Sequence, residues 1–332
     1  MTWKLYVPDG EQDLLADESY RKRKIENAMI EVFRHGGFSE IVTPTLEFFD
    51  SFSGQRDIIP EEDMIKFVDE QGRILVLRPD LTVPCARLAA TKLKEQLPLK
   101  LCYCQNVFRS KKDRYLDLKE ITQAGCESIG DGSSAADAEM IATAIEALIA
   151  AGLNEFTVEL GQVKYFKGLM NETSLPFAEK DALRHLVDKK DFLGLEKKVA
   201  ALGIGGDLKS ALTELPALYG GIEILTRLKD YRFGGKAREA IDNLSDVVER
   251  LQKADYGRYL AIDLGMVSAL SYYTGIIFQG FVSGFGTPML SGGRYDHLVE
   301  KFGPATPATG FSVNINFLLD ILAGNGEEGM SS

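Results

Sequence analysis

Strand-like segments in this chain follow one another without a helix between them, and this restricts the fold more than any other feature. Segments at Arg73–Leu77, Leu99–Gln105, Phe156–Leu160, Tyr259–Leu264, Tyr272–Val282 and Gly310–Ile315 are rich in β-branched and aromatic residues and bounded by Gly, Pro or Asp. A further strand is expected over Phe38–Thr43, ended by Pro44. A doubly wound parallel sheet needs a long crossover between strands, whereas an antiparallel sheet does not. The expected class is therefore α+β, a mostly antiparallel sheet flanked by helices.

Two helices stand out. Over Asp17–His35, the residues Ile25, Ala28, Met29, Val32 and Phe33 share one face, with Asp17 as the expected N-cap and Gly36-Gly37 as the stop. Over Ala135–Ala151, Ile141, Ile145, Leu148 and Ile149 do the same. From about Tyr165 the pattern changes to short amphipathic segments: Ala178–Lys189, Leu193–Leu202, Leu208–Leu215, Ile222–Leu228 and Lys236–Ala254. This predicts a helical insertion over 165–255 between two parts of one sheet domain, 1–164 and 256–323, with a polar, glycine-rich flexible tail over 324–332.

With 332 residues, 45% of them hydrophobic and 26% charged, the chain can bury one large core or two modest ones and is not disordered. The longest uncharged apolar runs, such as Ala147–Leu153, are too short to span a bilayer. The opening MTWKLYVPDGEQD carries no export signal, so the four Cys are expected to be reduced and the protein cytoplasmic. A net charge of −11, with Lys and Arg interspersed among acids, argues against a dedicated RNA-binding role.

Single motifs have ordinary explanations. The turn SGGRYD at Ser291–Asp296 lacks the Lys-Ser/Thr pair of a phosphate loop and reads as a tight strand-to-helix turn before the helical pattern His297–Phe302. Cys102 and Cys104 alternate onto one face of a strand, and no His pair sits at zinc-finger spacing, so no metal is expected. The three His are scattered: His35 complements a helix C-terminus, and His185 and His297 fall on solvated faces. No G-x-S-x-G elbow is present. Asp80, Arg109, Gln123, Glu127, Tyr273 and Tyr295 are each, singly, plausible surface or edge-strand residues.

Their joint order within six blocks changes that reading. PDGEQDLLADES near the start, GFSEIVTPTLE at Gly37–Glu47, LRPDLTVPCAR at Leu77–Arg87, FRSKKDRYLDLKEITQAGCE at Phe108–Glu127, ALSYYTGIIF at Ala269–Phe278, and SGGRYDHLVEKFG with TPATGFSVNI within Ser291–Ile315 together resemble the catalytic core of histidyl-tRNA synthetase, a class II aminoacyl-tRNA synthetase. The resemblance runs from Pro8 to about Leu322. It implies the class II synthetase-like fold, with a homodimer interface at the motif-one-like Gly37–Glu47. It also implies a histidine-binding pocket. There Asp80 pairs with the ligand ammonium, Arg109 lies near its carboxylate, Gln123 and Glu127 line the pocket with Glu127 accepting from the imidazole, and Tyr273 and Tyr295 close over the ring. Thr82 and Tyr272 join the same set.

The departures from the synthetase pattern bear on activity. Where the family reads Arg-Gly-Leu-Asp-Tyr-Tyr, this chain has Ser268-Ala269-Leu270-Ser271-Tyr272-Tyr273, so Ser268 replaces the arginine that contacts the α-phosphate. Where motif three reads Gly-Leu-Glu-Arg-Leu, it has Asn314-Ile315-Asn316-Phe317-Leu318, so Phe317 stands in the arginine's place. The acid that follows Phe-Arg in motif two is replaced by Ser110-Lys111-Lys112. Losing one preorganised contact to developing charge typically costs about 10²–10³ in rate. The chain also ends soon after the motif-three region, where synthetases continue into an anticodon-binding domain.

This combination resembles the family of ATP phosphoribosyltransferase regulatory subunits. The resemblance implies a non-catalytic chain without cofactor or tRNA. It would assemble with a short catalytic subunit in a hetero-octamer, be required for that subunit's activity in the first step of histidine biosynthesis, and take L-histidine as feedback effector. The alternatives are a truncated synthetase or other histidine-adenylating enzyme, and a ligand-free dimeric scaffold.

Overall fold

The structure is a computed structural model and describes residues 3–53, 59–111, 117–228, 234–267 and 272–328. In chain order the elements are α1 (Ala16–His35), β1 (Ser39–Glu40), β2 (Leu46–Phe48), β3 (Lys66–Val68), β4 (Ile74–Leu77), α2 (Thr82–Thr91), β5 (Leu99–Phe108), β6 (Glu120–Ile129), α3 (Ser134–Ala150), β7 (Thr157–Gln162) and α4 (Val163–Asn171). They continue with α5 (Phe177–Asp188), α6 (Phe192–Ala201), α7 (Gly206–Glu214), β8 (Tyr219–Gly220), α8 (Glu223–Leu228), α9 (Gly235–Lys253), β9 (Leu260–Asp263), β10 (Ile276–Phe281), β11 (Leu290–Arg294), β12 (Ala308–Asn314) and α10 (Ile315–Glu328).

The main sheet has the order β1-β5-β6-β12-β11-β10-β7-β9-β8. Its centre, β5 through β7, is antiparallel throughout, and among the described residues only the β1/β5 and β7/β9 pairs are parallel. A separate antiparallel ribbon has the order β2-β4-β3. The fold is thus α+β, a large and mostly antiparallel sheet with helices packed on it.

The amphipathic stripes lie where their periods place them. On α1, Ile25, Met29, Ile30 and Phe33 are buried; on α9, Ala237, Ile241, Leu244, Val248 and Leu251 are buried. Helix α9 packs on α3 and α4, so the stretch between β7 and β9 shares its apolar core with the main sheet. Helix α3 is capped by Ser133, whose side chain accepts from the Ala136 N–H at 3.2 Å. Asp17 is not the cap of α1. The helix begins one residue earlier, the Leu15 N–H donates to Glu18 Oε2 at 3.2 Å, and Asp17 sits in the first turn, where its charge complements the helix dipole.

Several expectations need correction. The segment Phe38–Thr43 pairs as a strand only over Ser39–Glu40. Tyr272–Gly275 does not extend β10: the Thr274 N–H instead donates to the Arg294 carbonyl at 2.7 Å. Ser291–Arg294 is not a turn but most of β11, a central strand. Its glycines admit close neighbours: a Cβ on Gly293 would come within 2.8 Å of the Tyr273 ring. Beyond it, only a 3₁₀ turn forms at Val299–Lys301, not a helix. Helix α10 runs through Glu328, into the stretch expected to be a loose tail. No helix among the described residues is long and apolar enough to cross a membrane.

Candidate functional site

A cavity of about 270 Å³ opens on the central strands. Asp80, Thr82, Arg109, Gln123, Tyr272, Tyr273 and Tyr295 line it, together with β11, β12 and the segment before β11. Seven of the eight residues singled out from sequence therefore meet at one place. The eighth, Glu127, is 0% exposed and lies behind the wall, bonded to Tyr295.

Each side chain is placed by a local rule. Asp80 lies two residues before α2, and its Oδ1 accepts the Val83 N–H at 2.9 Å, so it is tied to the first turn of that helix while facing the cavity. Arg109 follows β5, where its N–H bonds the Lys119 carbonyl at 2.9 Å. Gln123 and Glu127 lie four residues apart on β6 and therefore on the same face of the sheet. Opposite Glu127 in register is Gly310 of β12, where a Cβ would overlap the Glu127 carboxylate and stand 2.7 Å from the Cys126 carbonyl. The glycine makes room for a buried carboxyl between two strands.

Around that carboxyl is a network of hydroxyls. Tyr103 donates to Glu127 Oε1 at 3.1 Å, and the Tyr295 hydroxyl donates to Oε2. The Thr82 hydroxyl interacts with Glu127, Tyr103 and Tyr272. The Tyr272 ring stacks on Tyr295 with centroids 5.7 Å apart and meets Tyr273 at 4.7 Å. Tyr103 belongs to this network although the motifs do not single it out. Strand alternation held the signal, because Tyr103 faces away from Cys102 and Cys104 and hence toward the cavity side of β5.

The electrostatics follow from burial. Loss of water pushes the Glu127 carboxyl up to about 8, even though the hydrogen bonds from Tyr295, Thr82 and Tyr103 pull the other way. Asp80 is raised by the same cause and lowered by its backbone bond to Val83 and by Arg109. Two buried polar atoms on the wall, Arg109 Nε and Gln123 Oε1, have no hydrogen-bond partner among the described residues. Such orphans cost about 1–3 kcal/mol each unless something else satisfies them. Chemically the cavity offers a carboxylate, a guanidinium, an amide oxygen and a hydroxyl network over a buried carboxyl. That set suits a small zwitterion carrying a further polar group. Among the described residues, no group of three or more His, Cys, Asp or Glu is placed to hold a metal ion.

The neighbouring corner is apolar. Phe317, at the start of α10, is 1% exposed and packs edge-on against Phe285 with centroids 5.7 Å apart. Asn314 Oδ1 accepts the Phe317 N–H at 3.0 Å, and Asn316 Oδ1 accepts the Thr122 N–H at 2.8 Å. Ser110 and Lys111 are tied to the turn Glu61–Asp63, with Lys111 Nζ 2.6 Å from Asp63 Oδ1 and the Ser110 hydroxyl donating to the Glu62 carbonyl at 2.7 Å. Ser268–Ser271 and Lys112 lie outside the described residues.

Comparison with known proteins agrees with this architecture. The family model described as histidyl-tRNA synthetase matches residues 10–318. An ATP phosphoribosyltransferase regulatory subunit of Acetivibrio thermocellus is 48% identical over 318 residues, which is 96% of this chain and 76% of that protein. The regulatory subunit of Ruminiclostridium cellulolyticum is 47% identical over 320 residues, with the same coverage of 96% and 76%. A solved structure titled as an ATP phosphoribosyltransferase regulatory subunit/histidyl-tRNA synthetase from Bacillus halodurans C superposes with a TM-score of 0.88 at 36% identity, covering 95% of this chain and 82% of that one. On these grounds the chain belongs to the family of ATP phosphoribosyltransferase regulatory subunits, built on the histidyl-tRNA synthetase fold.

Proposed function

We propose that this chain is a non-catalytic, histidine-sensing subunit that assembles with a short ATP phosphoribosyltransferase catalytic chain. It is required for that partner's activity in the first step of histidine biosynthesis, in the cytoplasm, and it carries the feedback inhibition. The observation behind the reading is the pair of orphaned buried atoms, Arg109 Nε and Gln123 Oε1, in a cavity that also holds Asp80. A histidine with its ammonium at Asp80, its carboxylate at Arg109 and its imidazole toward Gln123 and Glu127 satisfies that wall. Thr82, Tyr272, Tyr273 and Tyr295 enclose it. A site built to pair polar groups rejects ligands that leave them unpaired. Inhibition then equals the difference in histidine affinity between two states of the complex, typically about 1–3 kcal/mol.

The non-catalytic reading rests on Phe317 and Ser268 standing where the resemblance calls for arginines. Phe317 supplies no charge to an α-phosphate, and its burial against Phe285 leaves no apolar surface to spare for a nucleotide. We assign a homodimer to the Gly37–Glu47 region and the adjoining ribbon. Register places Leu46, Phe48, Leu75, Leu77 and Phe67 on one face, and Leu46 and Phe48 are each 47% exposed. Such dimers fit within a hetero-octamer, with 165–255 as an insertion between core parts 1–164 and 256–323.

The test is co-purification with a short catalytic chain and assay of phosphoribosyl-ATP formation with and without histidine. Asp80→Ala and Glu127→Ala are expected to weaken inhibition while assembly persists. Unchanged inhibition in both variants would put the effector elsewhere. The rival reading, a histidine-adenylating enzyme, is favoured by the retained Arg109 and the motif scaffold and opposed by Ser268 and Phe317. Robust histidine-dependent ATP–pyrophosphate exchange would establish it instead.

A further inference from the structure

Outside the amino-acid cavity, a groove between α4 and α9 holds about 450 Å³. Its walls follow helical spacing. Lys164, Lys167 and Asn171 come from one face of α4, and Lys236, Glu239 and Asn243 from one face of α9. The two helices touch at backbone distance because residue 168 is glycine: a Cβ there would stand 2.6 Å from the Ala237 nitrogen. That contact holds the lysines of both helices around one space.

The charge in this groove runs against the rest of the molecule. Three ammonium groups face a single lining carboxylate, Glu239, in a chain of net charge −11. Among the described residues, none of Lys164, Lys167 and Lys236 forms an ion pair within 4.0 Å. The nearby acid Glu172 is already committed, its Oε1 accepting the Gly234 N–H at 2.7 Å. Lys164 and Lys236 are exposed and would be unremarkable as solvated residues. Lys167 is not solvated in that way. It is half-buried, with its Nζ 3.4 Å from the Tyr273 carbonyl, and burial together with Lys164 lowers its affinity for a proton. Asn243, which also lines the groove, spends its Oδ1 on Gln162 Nε2 at 2.8 Å, leaving its amide NH₂ without that commitment. A crowded cation in a confined groove, with amide donors beside it, is satisfied by an anion carrying several acceptor oxygens.

We infer that the α4–α9 groove is a binding site for a diphosphate group, free or carried on a nucleotide. The inference does not depend on the histidine reading, since the two sites share no lining residue. Titration calorimetry on the full chain at constant ionic strength tests it, with inorganic diphosphate and ADP as probes and sulfate as control. Saturable binding of one diphosphate per chain, weakened at least tenfold in Lys164→Gln/Lys236→Gln and in Lys167→Met, is the expected result. Both exposed lysines lie outside the core, so the double variant is expected to keep its melting temperature and its histidine titration. Tenfold tighter binding of ADP than of diphosphate would assign the group to a nucleotide, and equal binding to diphosphate itself. Absence of saturable binding by both probes overturns the inference, as does equal binding by the variants, or binding of an oligonucleotide alone.

Discussion

Two adjacent corners of one sheet are built on opposite principles. Around Glu127, full burial is combined with polarity: a carboxyl, three phenols and a threonine hydroxyl share hydrogen bonds, and two wall atoms are left without partners. Around Phe317, full burial is combined with apolar contact, and the nearby polar side chains Asn314 and Asn316 spend their oxygens on backbone N–H groups. On the proposed reading, a bound histidine supplies partners to the first corner. The second is complete within the chain.

If that contrast is sound, the two corners should separate under mutation. The largest effect is expected for Phe317→Ala, about 3–5 kcal/mol of lost stability from a cavity in a closed core, with histidine affinity in the surviving folded fraction unchanged. Denaturant unfolding and calorimetry would show this, and a parallel loss of histidine binding would mean the corners are one site. Glu127→Gln should do the reverse. An isosteric amide keeps the packing, so below pH 4.5, where the carboxyl is protonated in both states, stability should move by less than about 1 kcal/mol, while histidine binding should weaken by about 2–3 kcal/mol because an amide NH₂ replaces one of the two oxygens.

A pH titration sharpens the same point. Burial holds the folded Glu127 carboxyl at about 8, against 4.5 for an ordinary glutamate. Between those values the folded chain keeps a proton that the unfolded chain releases, so this group's contribution is fully present below 4.5 and is lost as pH rises toward 8. The melting temperature of the ligand-free chain should fall across that window, and Glu127→Gln should flatten the fall. An unchanged slope would place the proton elsewhere. The smallest effect belongs to Tyr295→Phe, which removes one hydroxyl from the network and should cost histidine binding about 1 kcal/mol with the ring stacking on Tyr272 retained.

The parts of the fold legible in sequence are those in which one element carries its own signal. The stripe on α9 predicts Lys236–Ala254, and the helix spans Gly235–Lys253, because a 3.6-residue period needs no partner to be recognised. Strand β6 was not legible. Its sequence EITQAGCESI has no clear alternation, since both faces are buried over much of its length and it carries Gln123 and Glu127. Strand β11 was read as a turn because Gly292-Gly293 signals a break locally, whereas in the sheet the same glycines admit Phe278 and Tyr273. At both strands the residues that line or back the cavity override the local pattern.

From the sequence alone came α1, α3 and α5 through α9 and the class of sheet, which are properties of spacing along the chain, while the set of residues expected to form a pocket came from the resemblance of the ordered motif blocks to a known family. Tertiary structure alone decided that Glu127 would sit behind Tyr295 and opposite Gly310, that Arg109 Nε and Gln123 Oε1 would be left without partners, and that lysines from α4 and α9 would share a groove. Burial, hydrogen-bond satisfaction and charge crowding depend on which distant segments meet, and no local period encodes that.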